Sequence, residues 1–582
     1  MLFSVVVIAL AWCYYLERTV CFDSAFYSWL LIDTGEPVSF HGRIGSWPPQ
    51  LLPLALIDMG APLSTVLRAY SVCLALVPVL LLLLIAWPLR DVQGAIALPL
   101  TLLTGTGLSF YYGVSEVNQG IAFCVLVDVL LRHQSTSLRG TWLNATFTIA
   151  AAVWATLYHQ VMLIPLAFIV GRLVLRSASK ARWHVIAACV VFALWAFVRL
   201  NLFESTAYER ERMPGPGALV DLLPAVGGMR STAHLLDAWW SFKAFLLVVL
   251  LSSIATVRSR RWLPFVYTLL FSSGALVLVL ITDRDVGSPF MFENFYPVIS
   301  CCWCLLFADQ VIEGQSVDTP WLSRGTWAAT AIGMWTVFQA HHVPTENVRY
   351  CQRITDVMRE HGVHKAIGTS RVLPWTYIIS DWSLPMETAI VSSLTGPRNT
   401  VTFFCVDDPA PFMELGKKPD SFLGPSWEPA WFNARYLNKR YFELPDGPYQ
   451  EVTTRMDGSP APFDLVLVPP ISDIPFAMES PTIVPIQLHN RSEHAIGCLD
   501  QRGEPMRLRA SILSPKMVIV HTDTIPLPLE QDIPAQGYSV QGLSVMRPPG
   551  AGVHRVVVEL MRGDSVTGHQ CAFWMVAKPF GL

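Results

Sequence analysis

From its N-terminus to about residue 340 the sequence is a succession of long apolar runs, and this constrains the fold more than any motif does. A helix needs about 20 mostly apolar residues to cross a bilayer, somewhat fewer inside a bundle. Runs of that kind lie near 1–16, 66–87, 92–110, 117–131, 142–157, 160–175, 183–200, 243–257, 262–281, 291–309 and 325–340. They predict a polytopic α-helical membrane protein with about eleven spans, the stretch 142–175 being divisible in more than one way. Only 15% of the 582 residues are charged, against about 25% in a soluble chain. The net charge of −3 offers no basic face for a nucleic acid. No basic segment precedes the first run and no small-x-small cleavage site follows it, so it reads as a membrane helix instead of a cleaved signal peptide.

Orientation follows from where Arg and Lys collect. With a cytoplasmic N-terminus the short inner loops hold Arg90, Arg132 and Arg139, then Arg172, Arg176, Lys180 and Arg182, then Arg258, Arg260 and Arg261, and last Arg324. The opposite loops, 17–49, 111–116, 201–242 and 282–290, are of mixed sign. An odd number of spans puts the tail outside as well. The expected localisation is a bacterial inner membrane with the C-terminal part periplasmic.

Three segments follow from this reading: a membrane domain at 1–340, a soluble α/β domain at 345–470 and an antiparallel β-sandwich at 475–582. In the α/β segment, "TENVRYCQRITDVMREHG" has helical spacing and a glycine stop, while "HKAIGTS", "TYIISDW" and "NTVTFFCVDD" read as strands. Beyond residue 475, "TIVPIQLHNRS", "MRLRASILS", "MVIVHTD" and later runs alternate between Pro/Gly turns, the pattern of a two-sheet β domain. Cys301, Cys302 and Cys304 sit in an apolar run as small hydrophobes. Cys498 and Cys571 would pair if close together in an oxidising compartment.

The polar residues of the outer loops form the candidate site. The first loop carries Asp23, Tyr27, His41 and Arg43 ahead of "WPPQ". "YYGVSEVNQG" places Glu116 and Asn118 at the start of a span, "YHQ" places His159 and Gln160, and "TDRDVGSPFMFENFYP" supplies Arg284, Asp285, Glu293 and Tyr296. Arg18 and Arg43 have a plainer reading as side chains snorkelling to headgroups, and Tyr and Trp as an interfacial belt. Asp23 and Glu116 stand apart, because each begins or ends a span on an otherwise apolar flank. A carboxylate in an apolar cavity has a raised pKa and can serve as a base.

The segment "FDSAFYSWLLIDTGEPVSFHGRIGSWPPQLLPL" resembles the first loop of GT-C membrane glycosyltransferases, in the branch of protein mannosyltransferases and lipid A aminoarabinose transferases. Asp23, Gly35 and Pro48–Pro49 match that pattern, Glu116 matches the second acidic site, and "ENFYPVIS" matches the approach to a late span. The family's Asp-Glu pair is "DS" here, and Trp47 stands where a lysine often precedes the prolines. "IPAQGYSVQGLSVMRPPGAGVHRVVVELMRG" resembles the last strands of immunoglobulin-like accessory domains of envelope polysaccharide proteins. The resemblance implies a GT-C-like fold and inverting transfer of a sugar from a polyprenyl-phosphate donor to a glycan, lipid or protein acceptor on the outer face. It implies Asp23 as base, assisted by Glu116, with Arg43 and Arg284 on the phosphate and His41, His159 and Tyr296 as further binding residues. No cofactor is implied, and a divalent metal is not expected. Two other readings stay open: a non-catalytic scaffold for polysaccharide assembly, and a transporter or flippase. Against the second, the charges gather at helix ends instead of at mid-membrane, where transporter sites lie.

Overall fold

The structure is a computed structural model. It describes residues 2–40, 43–133, 138–176, 182–201, 222–229, 231–232, 235, 242–282, 289–315, 320–369, 382–406, 409–452, 465–468, 482–490, 496, 506–513, 519–522, 527–528, 533, 538–545, 552–562 and 565–577. The chain divides into two compact units. One holds Met1–Thr19, Gly35–Ser231 and Trp239–His342; the other holds Val20–Thr34, Thr232–Ala238 and Val343–Leu582.

The apolar runs form helices. In chain order these are α1 (Leu2–Cys13), then α2 (Asp23–Thr34) of the second unit, α3 (Leu63–Ala86), α4 (Val92–Gly105), α5 (Glu116–Arg132) and α6 (Leu138–Tyr158). They continue as α7 (Leu163–Arg176), α8 (Arg182–Asn201), α9 (Lys243–Ser259), α10 (Trp262–Thr282), α11 (Pro289–Gln315) and α12 (Pro320–Gln339). Among the described residues α3 and α10 are long and apolar enough to cross a membrane by length and composition alone. Shorter apolar stretches lie in α1, α4, α8 and α11, and over 160–175. The outward faces are apolar too: Leu80 on α3, Val257 on α9, Leu270 on α10 and Phe147 on α6 are all exposed. A helix surrounded by water would put polar residues there.

Small residues let these helices approach closely. A Cβ on Gly105 of α4 would lie 2.7 Å from the Cα of Pro297 on α11. Beside that contact Ser300 Oγ donates to the carbonyl of Thr101 at 3.2 Å. At the far end of α5 a buried charge network crosses four helices. Arg132 donates to both carboxylate oxygens of Asp91, at 2.6 and 3.1 Å, and to Asp128 at 2.9 Å. Arg172 of α7 donates to Asp128 at 2.7 Å and grips Asp309 of α11 with two nitrogens. Arg132 and Arg172, expected as loop charges, are therefore held inside the protein by three aspartates. Arg18 also departs from expectation. It does not snorkel but is buried, donating through Nε to Ser71 Oγ at 3.0 Å and through Nη1 to the carbonyl of Phe110.

The second unit is built on α13 (His342–Glu360), β1 (Lys365–Gly368), α14 (Leu384–Ser393), β2 (Thr402–Cys405) and β3 (Gln450–Glu451). β1 is the middle strand of a parallel sheet, with β2 and β3 on either side. All of the expected strand in "TYIISDW" but Trp382, and the acidic pair Asp407–Asp408, lie outside the described residues. Antiparallel sheets follow, made from β4 (Leu465–Val468), β5 (Thr482–Asn490), β6 (Met506–Leu513), β7 (Ile519–Thr522), β8 (Leu527–Pro528), β9 (Tyr538–Val545), β10 (Gly552–Arg562) and β11 (Ser565–Ala577). One has the order β9-β5-β4; the other runs β8-β6-β10-β11, with β7 also on β6. Val484, Ile486 and Leu543 of the first share a core with Leu508, Ile512 and Val558 of the second. Leu465–Val468, expected to close the α/β segment, pairs antiparallel with β5 and so belongs with these sheets. Cys571 is a buried free thiol, and Cys498 lies outside the described residues.

α2 is the part of the first loop that the sequence pattern does not explain. Nine of its twelve residues are buried. Trp29 stacks on Phe422 at 4.8 Å and on Phe442 at 4.1 Å, with Phe432 edge-on at 5.7 Å. Truncating an aromatic in such a place costs about 3–5 kcal/mol. Trp29→Ala is therefore expected to lower the unfolding midpoint of the second unit sharply, measured by thermal denaturation of the detergent-purified chain.

Candidate functional site

The first unit contributes an acid–base pair from two loops. A 3-10 turn, Ile44–Ser46, follows Arg43, and Gly45 lets it press on the end of α6. A Cβ there would lie 2.7 Å from the backbone nitrogen of Tyr158. The fully buried side-chain amide of Gln50 closes this loop. Its Oε1 accepts from Val38 N–H at 2.7 Å, and its Nε2 donates to the carbonyls of Val38 and Ser46 at 2.8 and 3.1 Å. Thus fixed, Arg43 Nη1 meets Glu116 Oε2 at 3.2 Å, with Glu116 buried as the first residue of α5. A strong charge-assisted pair closes to about 2.7–2.9 Å. At 3.2 Å this contact is longer than that.

The second unit presents Asp23, half-buried as the first residue of α2. Phe22, just before it, has φ +56°, a left-handed conformation uncommon for a residue with a side chain. The buried Glu387 of α14 fixes it there. Glu387 Oε1 accepts from Phe22 N–H at 2.9 Å and from Ser383 Oγ at 2.7 Å; Oε2 accepts from Asn347 Nδ2 at 2.9 Å and from the Cys351 thiol at 3.3 Å. Burial pushes the Glu387 carboxyl up, against the pull of these four donors. Burial, with the Glu387 charge next, pushes the Cys351 thiol well up.

One turn after Asp23, Phe26 stands among Trp382, Trp427 and Trp431, at centroid distances of 6.2, 6.1 and 5.6 Å. Trp382 and Trp427 lie 4.7 Å apart, and Trp427 and Trp431 are 57% and 41% exposed. Residues three apart on a helix share a face, so Asp23 borders an aromatic surface that the sequence pattern did not disclose.

Among solved structures, the crystal structure of ArnT from Cupriavidus metallidurans bound to undecaprenyl phosphate is similar over 72% of this chain and 90% of that one, at 14% identity and a TM-score of 0.39. A likeness of that degree decides neither fold nor function. No protein-family model matches the chain. No curated protein matches it.

The other expected site residues fare differently. His159 is buried and caps the turn Gln160–Met162, its Nδ1 accepting from Val161 N–H at 3.1 Å. Tyr296 is buried, stacked on Phe242 at 3.9 Å and edge-on to Phe245 at 5.2 Å. His41 and Arg284 lie outside the described residues. Asp23 falls in the second unit, and Glu116, Arg43, His159 and Tyr296 in the first. Among the described residues no group of three or more His, Cys, Asp or Glu is arranged to hold a metal ion. Gln50 and Glu387 were missed. "WPPQ" drew notice for its prolines alone, and nothing local marks Glu387 as the partner of a backbone N–H 365 positions away.

At the other end of α2, Asp33 Oδ1 accepts from Asn438 N–H at 2.9 Å. Burial pushes its carboxyl up to about 6, the hydrogen bond opposing. A folded-state value above the ordinary 3.8 favours the folded form while the carboxyl stays protonated. That stability is full below about pH 4 and is lost as the pH rises through 6. The change is at most about 3 kcal/mol, at 1.36 kcal/mol per unit. Asp33→Asn keeps the acceptor and removes the charge, so its stability should vary less than wild type between pH 4 and 7, followed by denaturant titration at each pH.

Proposed function

We propose that the protein is a membrane glycosyltransferase that moves a sugar from a polyprenyl-phosphate donor to an envelope glycan, lipid or protein on the outer face. The observation that carries this reading is Asp23 on α2, one turn from the buried Phe26, which packs against the exposed rings of Trp427 and Trp431. Aromatic faces receive the apolar face of a pyranose, and a half-buried carboxylate beside them is placed to take the proton of a sugar hydroxyl.

The outward apolar faces of α3, α9 and α10 support a membrane setting, and the Arg distribution supports an inner-membrane protein with its C-terminal part periplasmic. The parallel-sheet segment and the two antiparallel sheets are read as an α/β domain and a β-sandwich on that side. In the proposed step the acceptor hydroxyl oxygen attacks the anomeric carbon as Asp23 takes its proton. The anomeric carbon–oxygen bond breaks, its electron pair leaving on polyprenyl phosphate, and the configuration inverts. In the first unit Arg43, paired with Glu116, carries the planar guanidinium fork that suits a phosphate.

Transfer by membranes from expressing cells, with labelled polyprenyl-phosphate sugar, tests these roles. Asp23→Asn should lower kcat by about 10²–10⁴ with membrane insertion intact, the range for loss of a general base. Trp431→Ala should raise the acceptor KM by roughly two- to tenfold at nearly unchanged kcat, the scale of one aromatic contact. Full activity of Asp23→Asn would sink the assignment.

A further inference from the structure

In the sheet β8-β6-β10-β11 one face belongs to the core, reached by Leu508, Ala510 and Ile512 of β6 and by Val556, Val558 and Leu560 of β10. Successive strand residues point to opposite faces, so Arg509, Ser511, Val557 and Glu559 stand on the other one. The outer face of an antiparallel sheet is ordinarily wetted. Here Glu559 is 3% and Val557 1% exposed, and they line a cavity of about 240 Å³ with Arg509, Ser511 and, from β7, Ile519 and Thr522. A bulge in β7 shapes its wall. Ser511 is opposite Thr522 and Ile512 opposite His521, but Leu513 is opposite Ile519. The extra residue, Val520, brings Ile519 and Thr522 to one face, although residues three apart on a regular strand point to opposite faces. Ile519 is 54% exposed at the rim.

A cross-strand ion pair is by itself ordinary sheet chemistry. Arg509 and Glu559 face each other in register, and Nε and Nη2 of Arg509 both donate to Glu559 Oε2, at 3.1 and 2.7 Å. A forked pair would engage both carboxylate oxygens. Among the described residues Glu559 Oε1 accepts no hydrogen bond and Arg509 Nη1 donates none. Ser511 Oγ and Thr522 Oγ1 lie 3.2 Å apart, so one donates to the other and a second hydroxyl proton is left over. The cavity therefore offers an acceptor, a donor and a hydroxyl beside the apolar Val557 and Ile519, and its two charges cancel. An anionic ligand would find the guanidinium already neutralised. An uncharged ring with adjacent hydroxyls and a C–H face matches the whole set.

We propose that this cavity binds one neutral hexopyranose. Its vicinal hydroxyls donate to Glu559 Oε1 and accept from Arg509 Nη1, and its C–H face lies against Val557 and Ile519. Drug-sized sites enclose about 300–1,000 Å³, so the smaller volume here limits the occupant to a single ring. No residue of this site is assigned to glycosyl transfer, so the inference does not rest on that reading.

A saturation-transfer NMR titration of the full chain, purified in a detergent without a sugar headgroup, tests it with glucose, mannose, galactose, their methyl glycosides and glucuronate. At least one neutral hexopyranose should bind with a Kd of about 1–10 mM, the range for a ligand of about a dozen heavy atoms. Glucuronate should bind about tenfold more weakly, and Glu559→Gln should weaken binding of the neutral sugar about tenfold. Because Glu559 also holds Arg509, Ile519→Asp is the second probe. It changes an exposed rim residue, leaves the ion pair in place, and should weaken binding at least about fivefold with an unchanged unfolding midpoint. Trp431→Ala should leave this affinity as it is, which separates the cavity from any sugar held by the rings around Phe26. Equal binding of free sugars and methyl glycosides assigns the site to a residue of a glycan chain, and loss on methylation assigns it to a free sugar. No binding below about 50 mM by any neutral sugar, equal affinity for glucuronate, or affinity lost in Trp431→Ala and kept in both cavity variants would each overturn the proposal. Sugar transfer is not read in this experiment, so an inactive enzyme leaves its result intact.

Discussion

The burial of Trp29 between Phe422 and Phe442 is the contact on which the candidate site depends. An isolated twelve-residue helix is marginal in water, and α2 exists because its aromatic side chains are taken up by residues almost 400 positions later. Once it is held, its two ends are fixed by side chains from the same unit: Glu387 holds the backbone at Phe22, and Asn438 bonds Asp33. Asp23 is thus carried on a helix packed along its length, and it inherits that rigidity.

Three ways of handling buried charge stand out among the described residues. Glu387 is surrounded by four donors, so its charge is met by hydrogen bonds without a cation. Asp91, Asp128 and Asp309 are interleaved with Arg132 and Arg172, an arrangement in which losing Arg132 takes a cation from Asp91 and Asp128, and losing Arg172 takes one from Asp128 and Asp309. Arg43 and Glu116 touch once, at 3.2 Å. The first two solutions are closed and stitch helices together.

Apolar runs made the helices of the first unit legible. The run at 262–281 is the helix Trp262–Thr282, that at 117–131 is Glu116–Arg132, and that at 66–87 is Leu63–Ala86. By length and composition alone, two of the described helices are long and apolar enough to cross a membrane. Periodicity likewise marked the helix over 345–362 and most strands beyond 482, because each buries one face. What pattern could not convey was partnership at a distance. Arg18 looks like any arginine after an apolar run, yet Ser71 and Phe110 bury it. His159 looks like a site histidine, yet a local backbone N–H claims its ring. The aromatic surface around Phe26 draws on residues at 382, 427 and 431, so no window of sequence contains it.

Glycosyl transfer with Asp23 as the base is tested most directly on the full chain reconstituted in proteoliposomes. The quantity to follow is the initial rate at which polyprenyl phosphate is released from polyprenyl-phosphate sugar, with an envelope glycan fraction as acceptor. The wild-type chain should release polyprenyl phosphate in step with sugar appearing on the acceptor, while Asp23→Asn releases none above background. Absence of release by wild type across donors, or equal release by the Asp23→Asn chain, would contradict the account.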